Sequence, residues 1–104
     1  MEELISLLKA LTDKLYHHTA PPNAVPPYIV YGEQGQGEIL SADDQQDGYS
    51  LTVTVDIFSK KGKEPLFKQV YDALNDNYIS FYLKSVQYEE DTGLIHYEYE
   101  TDVI

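Results

Sequence analysis

A chain of 104 residues can build one modest hydrophobic core but not two, so residues 1–104 are read as a single domain. Its 18 acids against 7 lysines, with no arginine, give a formal net charge of −11 that repels a phosphate backbone and argues against direct nucleic-acid binding. The absence of cysteine excludes disulfides and thiolate metal sites, and no run reaches the ~18 apolar residues of a membrane-spanning helix. A chain beginning Met-Glu-Glu lacks the charge of a secretory signal, so residence in the cytoplasm is expected.

Leu4, Leu7, Leu8, Leu11 and Leu15 recur at the spacing of one helical face, which predicts a helix from about Glu2 to Tyr16. Glu2 and Glu3 at its start, and Lys9 and Lys14 further on, suit the helix dipole. Pro21 and Pro22 bar continuation, and Pro26-Pro27 stiffens the approach to a strand over 28–33. Gly32, Gly35 and Gly37 predict a flexible turn there, with Glu38–Leu40 returning as a short strand and Asp43–Gly48 forming a polar loop. Little apolar area in 32–48 offsets the entropy of ordering it, so this stretch is expected to be mobile until assembly.

The clearest signal is the run from Tyr49 to Phe58. Leu51, Val53, Val55 and Ile57 point one way, while Ser50, Thr52, Thr54 and Asp56 point the other, which marks a strand with one buried face. The apolar face is expected to lie under both helices, and Thr54 on the other face to accommodate an aspartate. Gly62 ends the strand, Pro65 suits the first position of a helix reaching about Asn75, and Leu66, Phe67, Val70 and Leu74 form its apolar face. A strand over 79–88, a turn at Glu90–Gly93 and a closing strand complete the chain. In that last strand Ile95, Tyr97, Tyr99, Thr101 and Val103 alternate with His96, Glu98, Glu100 and Asp102. The expected fold is α+β: a mostly antiparallel sheet of four to five strands with two helices on one face, in the order α-β-β-β-α-β-β.

Nothing in the chain has the pattern of a catalytic site: there is no cysteine, and no histidine accompanies a nucleophile in a known motif. The run Asp43-Asp44-Gln45-Gln46-Asp47-Gly48 fails as a calcium loop, because position twelve is Thr54 within a strand. His17 and His18, read as neighbours at a helix end, diverge by about 100° and do not converge on one metal. His96, Glu98 and Glu100 share a strand face in the manner of metal ligands, but alternating polar residues on a solvent face give the same pattern. No metal and no cofactor are expected. Ten tyrosines against no tryptophan divide between core and surface, with Tyr82 and Tyr88 read as sharing one face.

Charge is segregated along the chain. Glu33, Glu38, Asp43, Asp44, Asp47 and Asp56 form one lysine-free tract, and Glu89, Glu90, Asp91, Glu98, Glu100 and Asp102 another. Between them lie Lys60, Lys61, Lys63, Lys68 and Lys84. Such patches keep a domain soluble, and they are also suited to meet across a subunit boundary. The expected interface sets Lys60, Lys61 and Lys63 against an acidic tract containing Asp43, Asp44, Asp47, Glu98 or Glu100.

The leucine-rich helix, the Pro-Pro-Tyr-Ile-Val-Tyr strand at 26–31, the alternating strand ending in Ser-Lys-Lys at 59–61 and the helix after it are together similar to one family. The chain resembles the small tail-completion and tail-terminator (head–tail joining) proteins of long-tailed bacteriophages and prophages. The resemblance spans most of the chain and carries over no individual functional residue. It implies a non-enzymatic virion protein that caps the head-proximal end of the tail tube or joins the tail to the head connector. It further implies a homo-hexameric ring on assembly, with the tail-tube and head-connector proteins as partners, and no membrane. The competing reading from charge alone is an acidic DNA mimic that inhibits a nucleic-acid-binding enzyme.

Overall fold

The computed structural model describes residues 1–39, 49–60, 62 and 64–103. Its elements in chain order are α1 (Glu2–Leu11), β1 (Leu15–His17), β2 (Tyr28–Ile39), β3 (Tyr49–Ser59), α2 (Pro65–Asp76), β4 (Ser80–Glu89) and β5 (Leu94–Val103). The strands form one sheet in the order β1-β2-β3-β5-β4, parallel between β1 and β2 and antiparallel elsewhere. The α+β class and the order of elements are as the sequence predicts.

Two boundaries differ. The first helix stops at Leu11, where Thr12 turns to extended backbone (φ −158°, ψ 146°) and its hydroxyl accepts from the Lys14 amide at 3.1 Å. Leu15 keeps its inward role from a strand instead, because pairing with β2 satisfies this backbone: the Ile29 amide donates to the Lys14 carbonyl at 2.9 Å and the His18 amide to that of Tyr31 at 2.7 Å. The second strand does not end at Glu33. It runs through Gly32, Gly35 and Gly37 to Ile39, with Gly32 in regular register and the pairing with β3 shifting between Glu33 and Gly35 and again between Gln36 and Ile39, and with Gly35 at φ 137°. The returning strand expected at 38–40 is thus the far end of β2 as far as Ile39, and the polar loop Asp43–Gly48 lies outside the described residues.

The core lies between the helices and one sheet face. Val53, Val55 and Ile57 of β3 are fully buried beneath Leu4 and Leu8 of α1 and Leu66, Val70 and Leu74 of α2, with Ile29 and Tyr31 on one side and Tyr97 and Tyr99 on the other. The two core tyrosines of β5 find partners for their hydroxyls: Tyr97 donates to the Gly62 carbonyl at 2.8 Å and Tyr99 to that of Phe67 at 3.4 Å. Burial pushes the Tyr99 phenol far above its ordinary range. At the start of α2, Glu64 caps the helix by accepting from the Leu66 amide at 3.2 Å, with Pro65 at the first turn. At its end the Ile79 amide reaches the Leu74 carbonyl (3.1 Å) and that of Tyr78 reaches Asn75 (3.3 Å), a Schellman closure. Its left-handed position is held by Tyr78 at φ 59° rather than by glycine.

Strand β4 carries a bulge at Lys84: Leu83 pairs with Tyr99, but Ser85 pairs with Glu98. The extra residue reverses the alternation, so Tyr82 stands opposite Glu100 while Tyr88 stands opposite Ile95. Tyr82 and Tyr88 therefore occupy opposite faces, contrary to the uninterrupted period of two.

Truncating Ile57 to alanine should cost ~2–5 kcal/mol in denaturant unfolding through transfer and cavity terms. Thr54, expected to face water, is only 8% exposed, with its hydroxyl 3.4 Å from the Gly32 carbonyl and Glu100 directly across on β5. Thr54→Asp would bury a carboxylate opposite another, so a clear fall in unfolding midpoint is expected rather than tolerance.

Candidate assembly surfaces

The sheet face away from the helices is built by the outward residues of β3 and β5. Glu98, Glu100 and Asp102 follow one another at alternate positions on β5, with Thr52 donating to Asp102 at 3.1 Å. The bulged Lys84 reaches over this row, its ammonium 3.5 Å from Glu100 and 3.9 Å from Glu98. Tyr82 hydrogen-bonds Glu100, which raises its phenol pKa. The same face bears a line of rings: Tyr16 meets Tyr28 edge-on at 5.8 Å, Tyr28 stacks on Phe58 at 5.0 Å, and Phe58 stacks on His96 at 4.4 Å. His96 is clamped between carboxylates, with Nε2 2.8 Å from Asp56 and Nδ1 3.3 Å from Glu89. The bond to Asp56 raises its pKa despite partial burial. Asp56, His96 and Glu98 together form one cluster of metal-ligand type, but both His96 ring nitrogens already face carboxylates.

On this face, the connection from β1 to β2 bounds a groove of about 410 Å³ lined by Pro21, Pro22, Tyr28, Asp56 and Phe58. His18 lines this groove, and it and His17 are not the diverging pair of a helix end. They terminate a strand, their rings stack at 4.0 Å, and Glu33 accepts from His17 Nε2 at 2.6 Å. That bond holds the Glu33 carboxyl below its usual range.

On the helix side, the end of β4 lies beyond helical cover. Leu83, Val86 and Tyr88 are 41%, 52% and 66% exposed along the edge of the sheet. Their partners on β5 are Tyr99, Tyr97 and Ile95, so this apolar strip continues the face that forms the core. Tyr71 and Tyr78, at 46% and 95% exposed, add further aromatic surface around α2.

Residues 3–98 match the family described as Tail completion protein gp17. The chain belongs to that family. No curated protein matches. Among solved structures, a chain of the virion of a native gene transfer agent (GTA) particle superposes with a TM-score of 0.51 at 11% identity, covering 96% of this chain and 90% of that one. At that identity the likeness establishes a shared fold. The protein is therefore a structural component of virion assembly, of a phage tail family, and the resemblance read from the sequence is borne out.

In this tail completion protein the described residues among those expected at an interface are Lys60, Glu98 and Glu100. Glu98 and Glu100 lie on the outer face and are already engaged by Lys84, a residue the linear pattern had grouped with the basic turn. Lys68 pairs locally with Asp72 at 2.8 Å, four residues on. Lys60 is exposed just after β3, and Lys61, Lys63, Asp43, Asp44 and Asp47 lie outside the described residues. The bulge that brings Val86 and Tyr88 to the same face as Leu83 left no glycine or proline signal in β4. The His17–His18–Glu33 group was hidden because Glu33 is 16 residues from His17 and meets the histidines only through the parallel pairing of β1 with β2.

Because His96 has a folded-state pKa above that of a free imidazole, its ion pairs stabilise the fold fully below the unfolded pKa, near 6.5, and that contribution is lost as pH rises through the raised folded value. His96→Gln should therefore lower the thermal midpoint clearly at pH 6 and much less at pH 9, measured by circular dichroism at fixed ionic strength.

Proposed function

We propose that this protein completes the tail by closing the head-proximal end of the tube, or by joining it to the head connector, as a ring of six identical copies. The observation that carries this reading is the apolar strip Leu83, Val86 and Tyr88 on the sheet's open β4 edge. A ring needs a heterologous contact, one patch on each subunit meeting a different patch on the next. The strip supplies an apolar patch continuous with the core, and exposed apolar area at a strand edge favours a protein neighbour. The basic stretch of Lys60, Lys61 and Lys63 against an acidic tract of the next copy would set orientation, since exposed ion pairs contribute only ~0–1 kcal/mol each. Apolar contacts along β4 would supply most of the affinity. Family membership supports the tail role over an acidic DNA mimic. So does Lys84, whose ammonium sits between Glu98 and Glu100 and breaks the continuous negative face a mimic would present.

Combining Val86→Asp with Tyr88→Ser should leave the monomer folded, as surface changes typically shift stability by less than ~0.5 kcal/mol each. Electron microscopy of tail tubes mixed with this variant should find bare tube ends where the parent protein caps them. Capping by the variant at normal occupancy would remove the β4 edge from the interface.

Reversing Lys60, Lys61 and Lys63 to glutamate should likewise preserve the fold while slowing ring formation, and added salt should weaken the parent ring modestly. Unchanged assembly kinetics and salt response in the triple variant would eliminate the charged contact, and the apolar edge would stand alone.

A further inference from the structure

We propose that His17, His18 and Glu33 form a binding site for a divalent transition-metal ion, with Zn²⁺ as the best-matched ligand. The donors are two imidazole nitrogens and one carboxylate oxygen, and all three atoms lie within 4.8 Å of one another. Glu33 Oε1 is 2.6 Å from His17 Nε2 and 3.8 Å from His18 Nε2. A tetrahedral zinc ion with bonds near 2.0–2.1 Å holds its donors roughly 3.4 Å apart, a spacing those two distances bracket. The two rings stack at 4.0 Å with their planes 20° apart, so one ring must turn for both lone pairs to meet a single ion. At 46% and 58% exposed the rings have room to do so, Glu33 is 36% exposed, and water can complete the coordination.

The backbone is shaped to keep both rings on one side. His18 takes up a left-handed conformation at φ 69°, uncommon for a residue with a Cβ. Its ring lies over Gly32, where a Cβ would come within 3.0 Å of His18 Nδ1. His17 is held from behind by stacking on Tyr31 at 4.6 Å. Pairing with Glu33 accounts for one imidazole. The second, at 3.8 Å, is beyond hydrogen-bonding distance, and a dication would engage all three groups at once. Imidazole donors favour zinc and its transition-metal neighbours over magnesium or calcium. A bound ion would clamp the end of β1 to β2 and so tie down the intervening connection, residues 19–27.

The test uses the chain without a polyhistidine tag and zinc chloride alone, in a buffer that does not bind metal. Calorimetry should find one saturable site, the thermal midpoint should rise with zinc, and Co²⁺ in its place should give a ligand-field spectrum. His18→Asn, a residue tolerant of left-handed backbone, and Glu33→Gln should each weaken binding at least ~10-fold with the circular dichroism spectrum unchanged. His96→Gln should bind zinc as the parent does, and Mg²⁺ should not bind. Nuclear magnetic resonance of the parent adds a readout needing no substitution: the ring signals of His17 and His18 should shift with zinc while that of His96 stays. Absence of saturable binding, equal affinity in His18→Asn, or perturbation confined to His96 would overturn the assignment.

Discussion

Strand β3 is paired on both sides, with β2 along one flank and β5 along the other, and its inward residues Val53, Val55 and Ile57 are fully excluded from water. A period of exactly two residues per side-chain reversal means that slipping this strand by one position would send three aliphatic side chains into solvent and Asp56 into the core. The register of β3 is therefore strongly specified, and it fixes that of its neighbours. Ile29 and Tyr31 must face inward opposite Ile57 and Val55, and Tyr97 and Tyr99 must do the same from the other flank. Both helices then have one continuous apolar surface to cover, which is why Leu4 and Leu8 of α1 and Leu66, Val70 and Leu74 of α2 enter a single core.

The consequences are unequal at the two edges of the sheet. On one side the edge strand β1 is only three residues long, is followed by a left-handed turn at His18, and pairs with Ile29–Tyr31 alone of the twelve-residue β2. On the other side β4 extends for ten residues, past the reach of α2, and its bulge at Lys84 turns Val86 and Tyr88 to the same face as Leu83. A sheet built this way has two unlike edges, and the β4 edge carries the exposed apolar strip. That asymmetry suits head-to-tail association of identical copies, in which each subunit offers different surfaces to its two neighbours.

The outward face follows different physics. Its acids alternate along β5 because the inward positions are taken by the core, and crowding them on one face of one strand requires compensation. Lys84 provides it for Glu98 and Glu100, and His96 provides it for Asp56 and Glu89. The high net negative charge of the chain is thus partly organised into local pairs rather than left as a uniform field.

The α+β class, the central strand with its buried face, the second helix and the alternation of the last strand were legible in the sequence, because each is a short-range pattern of apolar residues at a fixed period. Family resemblance was legible for the same reason, since it rests on the order of those elements. Three features were decided only by tertiary structure. Leu15 continues a helical spacing yet sits in a strand, because the backbone bonds offered by β2 outweigh a local preference that Thr12 already interrupts. Tyr82 and Tyr88 part company because a bulge, which nothing in the local sequence marks, inserts one residue into an otherwise regular alternation. His17, His18 and Glu33 converge because a parallel strand pairing brings distant positions side by side, and a contact between positions so far apart leaves no periodic trace along the chain.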